Sequence, residues 1–475
     1  MSTSKLRAGN LVSKCSSTAI AVALLVPVLQ TGALAQTNDD KGSFAVREVS
    51  LSTGYASVQL PPITLGGYTP NDVLNADLIT TGTAAVDWRR VTSRTRYTLE
   101  LFGMYTTRAL YSRLSAPGGN LTFGVSRALG NRWRLGAGVA SVIANSDQVA
   151  SQPSQARRLV DDSTSFDDLA GTVALARSPS PDLSHAALFV PIHSLDASDV
   201  YGNRSMVSSL RADATYLHSV RLATHFSGSY TIVRQISSNH ASVEALSSPD
   251  STAESAGVGV RYDRSERTQL TADLGWSQTS GGITDKVMSA TLGYGWSGRK
   301  WFTLTTVGAA VRPFQTPASA APMTTTSSRT PMLIYNGAIG YRFRTQTLLV
   351  QYSRAPHDEY GHGGRNIATG FEGNVQSVVG SWSWSAPRSA WMARSDLSIF
   401  RGPGNFSYIY TWLSTVSVGR RLGPNVQLIG ELLFDRHGSR GFEGFHLTRE
   451  GARVNLVWTP PRRTIGSAPS GQRSE

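Results

Sequence analysis

The chain has 475 residues, a formal net charge of +13 and an isoelectric point near 10.0. Only 16% of its residues are charged, well below the usual quarter, while it holds 45 glycines and 9% aromatic residues. This composition excludes an intrinsically disordered chain and a helical membrane protein. It favours a chain of extended strands in an environment other than plain water.

The N-terminus has the three parts of an export signal. Lys5, Arg7 and Lys14 form a basic region, and an apolar run from Ala19 to Leu29 follows it. Small residues then precede Gln36, where we predict cleavage, so that residues 1–35 form a signal peptide. The apolar run is too short to cross a bilayer. The sole cysteine of the sequence, at position 15, would leave with the signal.

Beyond the signal, short segments alternate apolar and polar residues. In the segment 269–277, Leu270, Leu274 and Trp276 fall on one face, while Thr271 and Asp273 fall on the other. Such alternation indicates strands with two different faces. No later segment approaches the 20 or so continuous apolar residues of a transmembrane helix.

The connections between these segments alternate in length. About 18 strands, within a range of 16 to 20, fit between Phe44 and Pro461. Long connections are predicted at 61–77, 111–118, 150–205, 239–252, 316–328 and 355–373, and tight ones near residues 93, 131, 220, 265, 299, 345, 388 and 423. The pattern predicts an all-β fold, a closed antiparallel transmembrane β-barrel with short periplasmic turns and long extracellular loops.

Aromatic and basic residues mark the tight turns. Around the turn in "SWSWSAPRSAW" (381–391) the tryptophans share one parity and would face outward, with the ring in hydrocarbon and the indole N–H among headgroups. A periplasmic aromatic girdle is predicted from Trp88, Trp133, Tyr294, Trp296, Trp382, Trp384, Trp391 and Trp458. The arginines of the same turns would attract anionic lipid headgroups, so nucleic acid is not an expected partner.

The C-terminal segment "REGARVNLVW" (449–458) resembles the last-strand signal that the outer-membrane barrel assembly machinery reads. This resemblance identifies the chain with the Gram-negative outer-membrane β-barrels, a porin-like class, and with no specific family inside it. It implies residence in the bacterial outer membrane and contact with the barrel assembly machinery. Residues 36–461 would form the barrel, and the proline-bounded residues 462–475 a disordered periplasmic tail.

The faces opposite the apolar ones carry charges of both signs. They supply the candidates for the lumen lining: Glu48, Asp87, Glu100, Arg211, Asp213, Arg261, Asp273, Arg342, Arg394, Asp396, Glu431, Asp435, Arg449 and Arg453. A polar interior of this kind holds water, and a barrel of 16–18 strands is wide enough for a channel. Because neither sign dominates, we expect weak ion selectivity.

The connection 150–205 is far longer than the others. Ser165 could cap a helix on which Phe166, Leu169, Val173 and Ala176 share a face. The segment would then fold into the lumen as a constriction or plug, or lie over its mouth. Alternatively, "AGTVALAR" (170–177) and "HAALFVPIH" (185–193) form one more strand pair, giving about 20 strands, although Pro191 would remove a ladder hydrogen bond.

We find no motif for a cofactor or for catalysis, and we expect no enzyme. A weak candidate for a divalent metal site is the set His357, Asp358, Glu359 and His362, which could also contact lipopolysaccharide through bound cations. A solvated outer loop explains these four residues equally simply.

Three functions fit the sequence. The first is a porin-like outer-membrane channel that passes small polar solutes, and the second is a secretion pore for an exopolysaccharide. The third is a closed barrel with a structural or adhesive role. The expected partners are outer-membrane lipid and lipopolysaccharide, the barrel assembly machinery, and a polar solute or polysaccharide.

Overall fold

The computed structural model describes the strands, their turns and part of the longest connection. The described residues are 42–59, 76–110, 115–145, 160, 166, 169, 170, 173, 204–237, 251–280, 283–311, 315–317, 331–356, 374–385, 389–403, 408–440 and 446–460. The predicted signal peptide, the predicted tail and the metal candidates His357, Asp358, Glu359 and His362 lie outside them.

Strands make up nearly all of the described structure. They are β1 (Ser43–Gln59), β2 (Asp77–Val91), β3 (Thr95–Arg108), β4 (Ala116–Leu129), β5 (Trp133–Asn145), β6 (Arg204–Leu217), β7 (Leu222–Ser237), β8 (Ser251–Ser265), β9 (Thr268–Ser280), β10 (Ile283–Ser297), β11 (Trp301–Val311), β12 (Gln315–Pro317), β13 (Met332–Phe343), β14 (Gln346–Pro356), β15 (Asn374–Ser385), β16 (Trp391–Pro403), β17 (Tyr408–Arg421), β18 (Val426–Arg440) and β19 (His446–Trp458). Among the described residues, no helix is long and apolar enough to cross a membrane.

The strands form one closed antiparallel sheet. Apart from the short β12, each pairs with the strands before and after it in the sequence, β11 being followed in the sheet by β13. β1 pairs with both β2 and β19, so that Val49 lies opposite Trp458 where the ring closes. The three-residue β12 pairs with β10, as β11 does, and therefore continues the wall position of β11. The described strands thus occupy 18 positions around the ring, and the predicted fold class is confirmed.

Alternation along each strand separates an outer from an inner face. Leu274, Leu292 and Leu432 are 59%, 66% and 62% exposed and lie on the outer surface of the ring. Phe302 and Leu349 point the other way and are fully buried inside the ring. A closed sheet with an apolar exterior is stable only where hydrocarbon surrounds it, so the chain is a transmembrane barrel of the outer-membrane type.

The two ends of the barrel differ. At one, which we call the turn end, the eight connections are 92–94, 130–132, 218–221, 266–267, 298–300, 344–345, 386–390 and 422–425. The other, the loop end, has the connections 60–76, 109–115, 146–203, 238–250, 281–282, 318–331, 357–373, 404–407 and 441–445. The predicted alternation therefore holds, except that three loop-end connections, at 281–282, 404–407 and 441–445, are short. The first residue of β1 and the last of β19 lie at the turn end, as expected for such barrels.

Candidate functional site

One sector of the lumen wall is apolar. Inward-facing side chains of neighbouring strands form it, and all are buried: Val287, Phe302, Ala310, Ile334, Ala338, Leu349 and Val379. We call these residues of β10 to β15 the apolar sector. The sequence predicted a polar lumen, so this sector is a difference. A second element packs against Phe302, Ala338, Leu349 and Val379 of this sector.

That element is helical and comes from the longest connection. Phe166, Leu169, Ala170 and Val173 are helical and at most 7% exposed, and we call them the inserted segment. Their spacing of three, four and seven residues places them on one helix face. They form a single cluster with Phe302, Ala338, Leu349 and Val379 of the wall.

The inserted segment therefore lies inside the ring. The rings of Phe166 and Phe302 are 5.3 Å apart between centroids. Because Phe302 faces inward, its partner must occupy the lumen, and the segment narrows it from the side of the apolar sector. Ala170 and Val173 are helical, which disagrees with the alternative of an extra strand at this position. Ala176 lies outside the described residues.

The predicted lumen candidates fall on inward faces. The strand registers place them as follows: Glu48 on β1, Asp87 on β2, Glu100 on β3, Arg211 and Asp213 on β6, Arg261 on β8, Asp273 on β9, Arg342 on β13, Arg394 and Asp396 on β16, Glu431 and Asp435 on β18, and Arg449 and Arg453 on β19. All except Arg342 belong to strands other than those of the apolar sector. We call this remaining wall, β16 to β19 and β1 to β9, the polar sector.

Many of these charges are held against the wall. On β18 and β19, Glu431 forms an ion pair with Arg453, and Asp435 lies directly opposite Arg449. Glu431, Asp435 and Arg449 are at most 4% exposed. A charge this deeply buried is stable only beside groups that compensate it. Opposite signs on facing strand positions therefore keep the net field of this part of the lumen small.

One inward pair was missed by sequence reasoning. His225 of β7 lies with Nε2 2.9 Å from Oδ1 of Asp273 on β9, although β8 runs between the two strands. The register places Gly259 of β8 opposite both residues. Without a side chain at Gly259, the two can meet above it. The sequence signal was that His225 lies two and four residues before Ser227 and Ser229 and therefore on the same strand face as these polar residues.

Two more glycines extend this arrangement into a recess. Thr271 lies over Gly293, and Gln269 lies over Gly295, where a Cβ atom would overlap them. We call the hollow formed by His225, Gln269, Thr271, Asp273 and Thr306, above these glycines, the polar recess. Leu304 lines the recess and also packs against the cluster that the inserted segment forms with the wall, so the recess lies beside this cluster.

The aromatic candidates lie on the outer face near the turn end. By register, all eight predicted girdle residues, Trp88, Trp133, Tyr294, Trp296, Trp382, Trp384, Trp391 and Trp458, share the face of the exposed leucines. Ring pairs link adjacent strands, with centroids 4.8 Å apart for Trp133 and Tyr216 and 4.2 Å for Trp296 and Trp301.

A second set of outward aromatics lies toward the loop end and includes Tyr55, Tyr105, Tyr230 and Trp412. On β3, the outward Tyr97 and Tyr105 are eight residues apart, about 26 Å along the strand, which on a strand tilted by about 40° corresponds to about 20 Å of membrane depth.

Comparisons with known proteins give no family. No family model matches the sequence, and no curated protein is similar to it. The solved structures that the chain resembles in outline include three from Pseudomonas and Acinetobacter species. OccK9 (OpdG) of Pseudomonas aeruginosa has 11% identity and a TM-score of 0.42, with 89% of this chain and 100% of that chain covered. OccAB4 of Acinetobacter baumannii has 9% identity and a TM-score of 0.40, with 88% of this chain and 99% of that chain covered. A BenF-like porin from Pseudomonas fluorescens Pf-5 has 9% identity and a TM-score of 0.39, with 88% of this chain and 99% of that chain covered. These values are too low to assign the chain to their family.

Proposed function

We propose that the protein is an outer-membrane channel that lets small polar solutes diffuse through a lumen narrowed from one side. The single observation that carries this proposal is the division of the lumen wall. Phe302, Ala338, Leu349 and Val379 of the apolar sector are covered by the inserted segment, while the polar sector, with its charges and hydroxyls, faces the rest of the lumen. The uncovered wall is therefore the part that suits water.

The physical argument concerns wetting and width. A lumen bounded by buried apolar side chains excludes water, and a bare apolar sector would obstruct the flow of polar solutes. Covering Phe302, Ala338, Leu349 and Val379 with a helix removes that surface from the pathway and also reduces its width. The narrowed pathway suits small solutes better than a polymer. Opposed pairs such as Glu431 and Arg453 favour weak ion selectivity.

Planar-bilayer recordings test the proposal. We expect the purified protein to give an ohmic single-channel current, and removal of residues 150–203, with a short glycine–serine linker, to raise the conductance. A matched variant lacking most of the connection 238–250 should conduct as the full chain does. Current from the deletion variant alone would point to a plugged secretion pore. No current from either protein would contradict a channel and favour a structural barrel.

The route of the chain to its membrane belongs to the same proposal. Residues 1–35 direct export and are removed, and the last strand presents Trp458 to the assembly machinery at the turn end, where β1 and β19 meet. The outward aromatics and basic turns contact phospholipid, and the outer loops contact lipopolysaccharide. The mass of the protein extracted from membranes checks cleavage before Gln36.

A further inference from the structure

We propose that the polar recess is a binding station for neutral, hydroxylated solutes such as polyols and sugars. This inference rests on the proposed channel function and names the solute class that the recess would retain. Leu304 of the recess packs against the cluster that the inserted segment forms with the wall, so a solute bound there lies beside the narrowed part of the lumen.

The charge of the recess favours a neutral ligand. Its two ionisable side chains among the described residues, His225 and Asp273, contact each other at 2.9 Å and are only 12% and 13% exposed. The nearest basic neighbour by register, Arg261 opposite Thr271, directs its Nε toward Oδ2 of Asp263 at 3.4 Å. At this low exposure, the carboxylate and the imidazole face each other rather than an approaching ion.

The remaining polar groups suit hydroxyls. Thr271 and Thr306 offer hydroxyl groups, each able to donate and to accept a hydrogen bond, and the amide of Gln269 can do both as well. A polyol or sugar has the same two-way capacity at each hydroxyl. Carboxylate ligands only accept and ammonium ligands only donate, so either would leave part of this set unused.

The shape of the recess agrees with this chemistry. Gly259, Gly293 and Gly295 form its floor, and a side chain at any of them would overlap the polar groups above. The polar side chains therefore lie along the wall, where a flat ring can approach them. Leu304 at the edge supplies an apolar contact for the C–H face of a sugar ring.

The test measures block of single-channel current by added solute, with glucose and sorbitol as probes and sodium acetate and choline chloride as charged comparisons. We expect saturable block by the neutral probes and none by the ions beyond their effect on conductivity. Thr271→Val removes one hydroxyl at nearly constant volume, and we expect it to weaken glucose block roughly fivefold. Thr303→Val, on the outward face of the neighbouring strand β11, should leave the block unchanged.

The outcomes separate this inference from the proposed function. The binding station is overturned, and the channel function is not, if the channel is open but neither glucose nor sorbitol blocks it saturably. The same holds if glucose blocks the Thr271→Val variant as strongly as the unaltered protein. Stronger block by acetate or choline also overturns it. A protein without current refutes the proposed function and the binding station together.

Discussion

At the scale of single residues, the lumen chemistry depends on positions that lack a side chain. Gly259 allows His225 and Asp273 to meet across a strand, and Gly136 lies beneath the carboxylate of Asp213. Neighbouring strands are about 4.8 Å apart, so residues two strands apart are too distant to interact unless the position between them is empty. Glycine in these strands thus connects polar groups around the wall.

Substitution of Gly259 tests this role directly. In Gly259→Val, the new Cβ atom would overlap Asp273 and His225, and the side chains or the strand must move. We expect a loss of about 1–3 kcal/mol in the free energy of unfolding. Gly103→Val is the matched control, because nothing lies within 4 Å of a Cβ at Gly103 on the outward face of β3. Urea unfolding in detergent measures both, and equal stabilities would contradict the proposed contact across β8.

The buried ion pair on β18 and β19 gives a second residue-scale prediction. Arg453→Met leaves Glu431, whose side chain is 2% exposed, without the guanidinium that it contacts. We expect a loss of about 3–5 kcal/mol in the free energy of unfolding, because a buried carboxylate then loses the positive charge of this guanidinium.

The control is a pair of the same charge types in which the arginine is exposed. Arg89 is 65% exposed and lies 3.9 Å from Asp87, so we expect Arg89→Met to cost less than about 1 kcal/mol. The double variant Arg453→Met/Glu431→Leu should recover most of the loss. If it is as unstable as Arg453→Met alone, the cost does not come from the unpaired carboxylate.

At the scale of elements, the strands follow from the sequence more directly than the inserted segment does. A period of two sets the faces of β9, β10 and β18 whatever surrounds them, since neighbouring residues must point in opposite directions. The helical spacing of Phe166, Leu169 and Val173 is likewise visible in the sequence. Its docking site is not, because Phe302, Ala338, Leu349 and Val379 come from four strands that only the closed ring brings together.

A charge on the helix face should release the inserted segment from the wall. Val173 is fully buried, so Val173→Asp would place a carboxylate among Phe302, Leu349 and other apolar groups. The cost of burying it favours displacement of the segment. We expect a higher single-channel conductance and greater current noise. Val173→Ala keeps the face apolar and should change the conductance far less; equal effects of both variants would contradict docking through this face.

At the scale of the whole molecule, closure of the sheet places one face of each strand outside the ring and the alternating inward residues around a lumen. Because β1 pairs with β19, each of the 18 wall positions of the described ring has two neighbours and the ring is closed. Sequence patterns predicted the ring, its approximate strand number and its parity. They did not predict which inward charges meet, since the pairing of Glu431 with Arg453 or His225 with Asp273 depends on the register between strands.

The assignment of inner and outer faces is itself testable with spin labels. In a Cys15→Ser background, a label at Leu274→Cys or Leu432→Cys should be relaxed by oxygen dissolved in the bilayer, because both positions are exposed on the apolar exterior. A label at Thr271→Cys or Gln427→Cys, on the inward faces of the same two strands, should be relaxed by a water-soluble nickel complex instead. Since the paired positions lie on opposite faces of one strand, each strand provides its own control. Oxygen-dominated relaxation at the inward positions would reverse the two faces and remove the basis of a polar pathway.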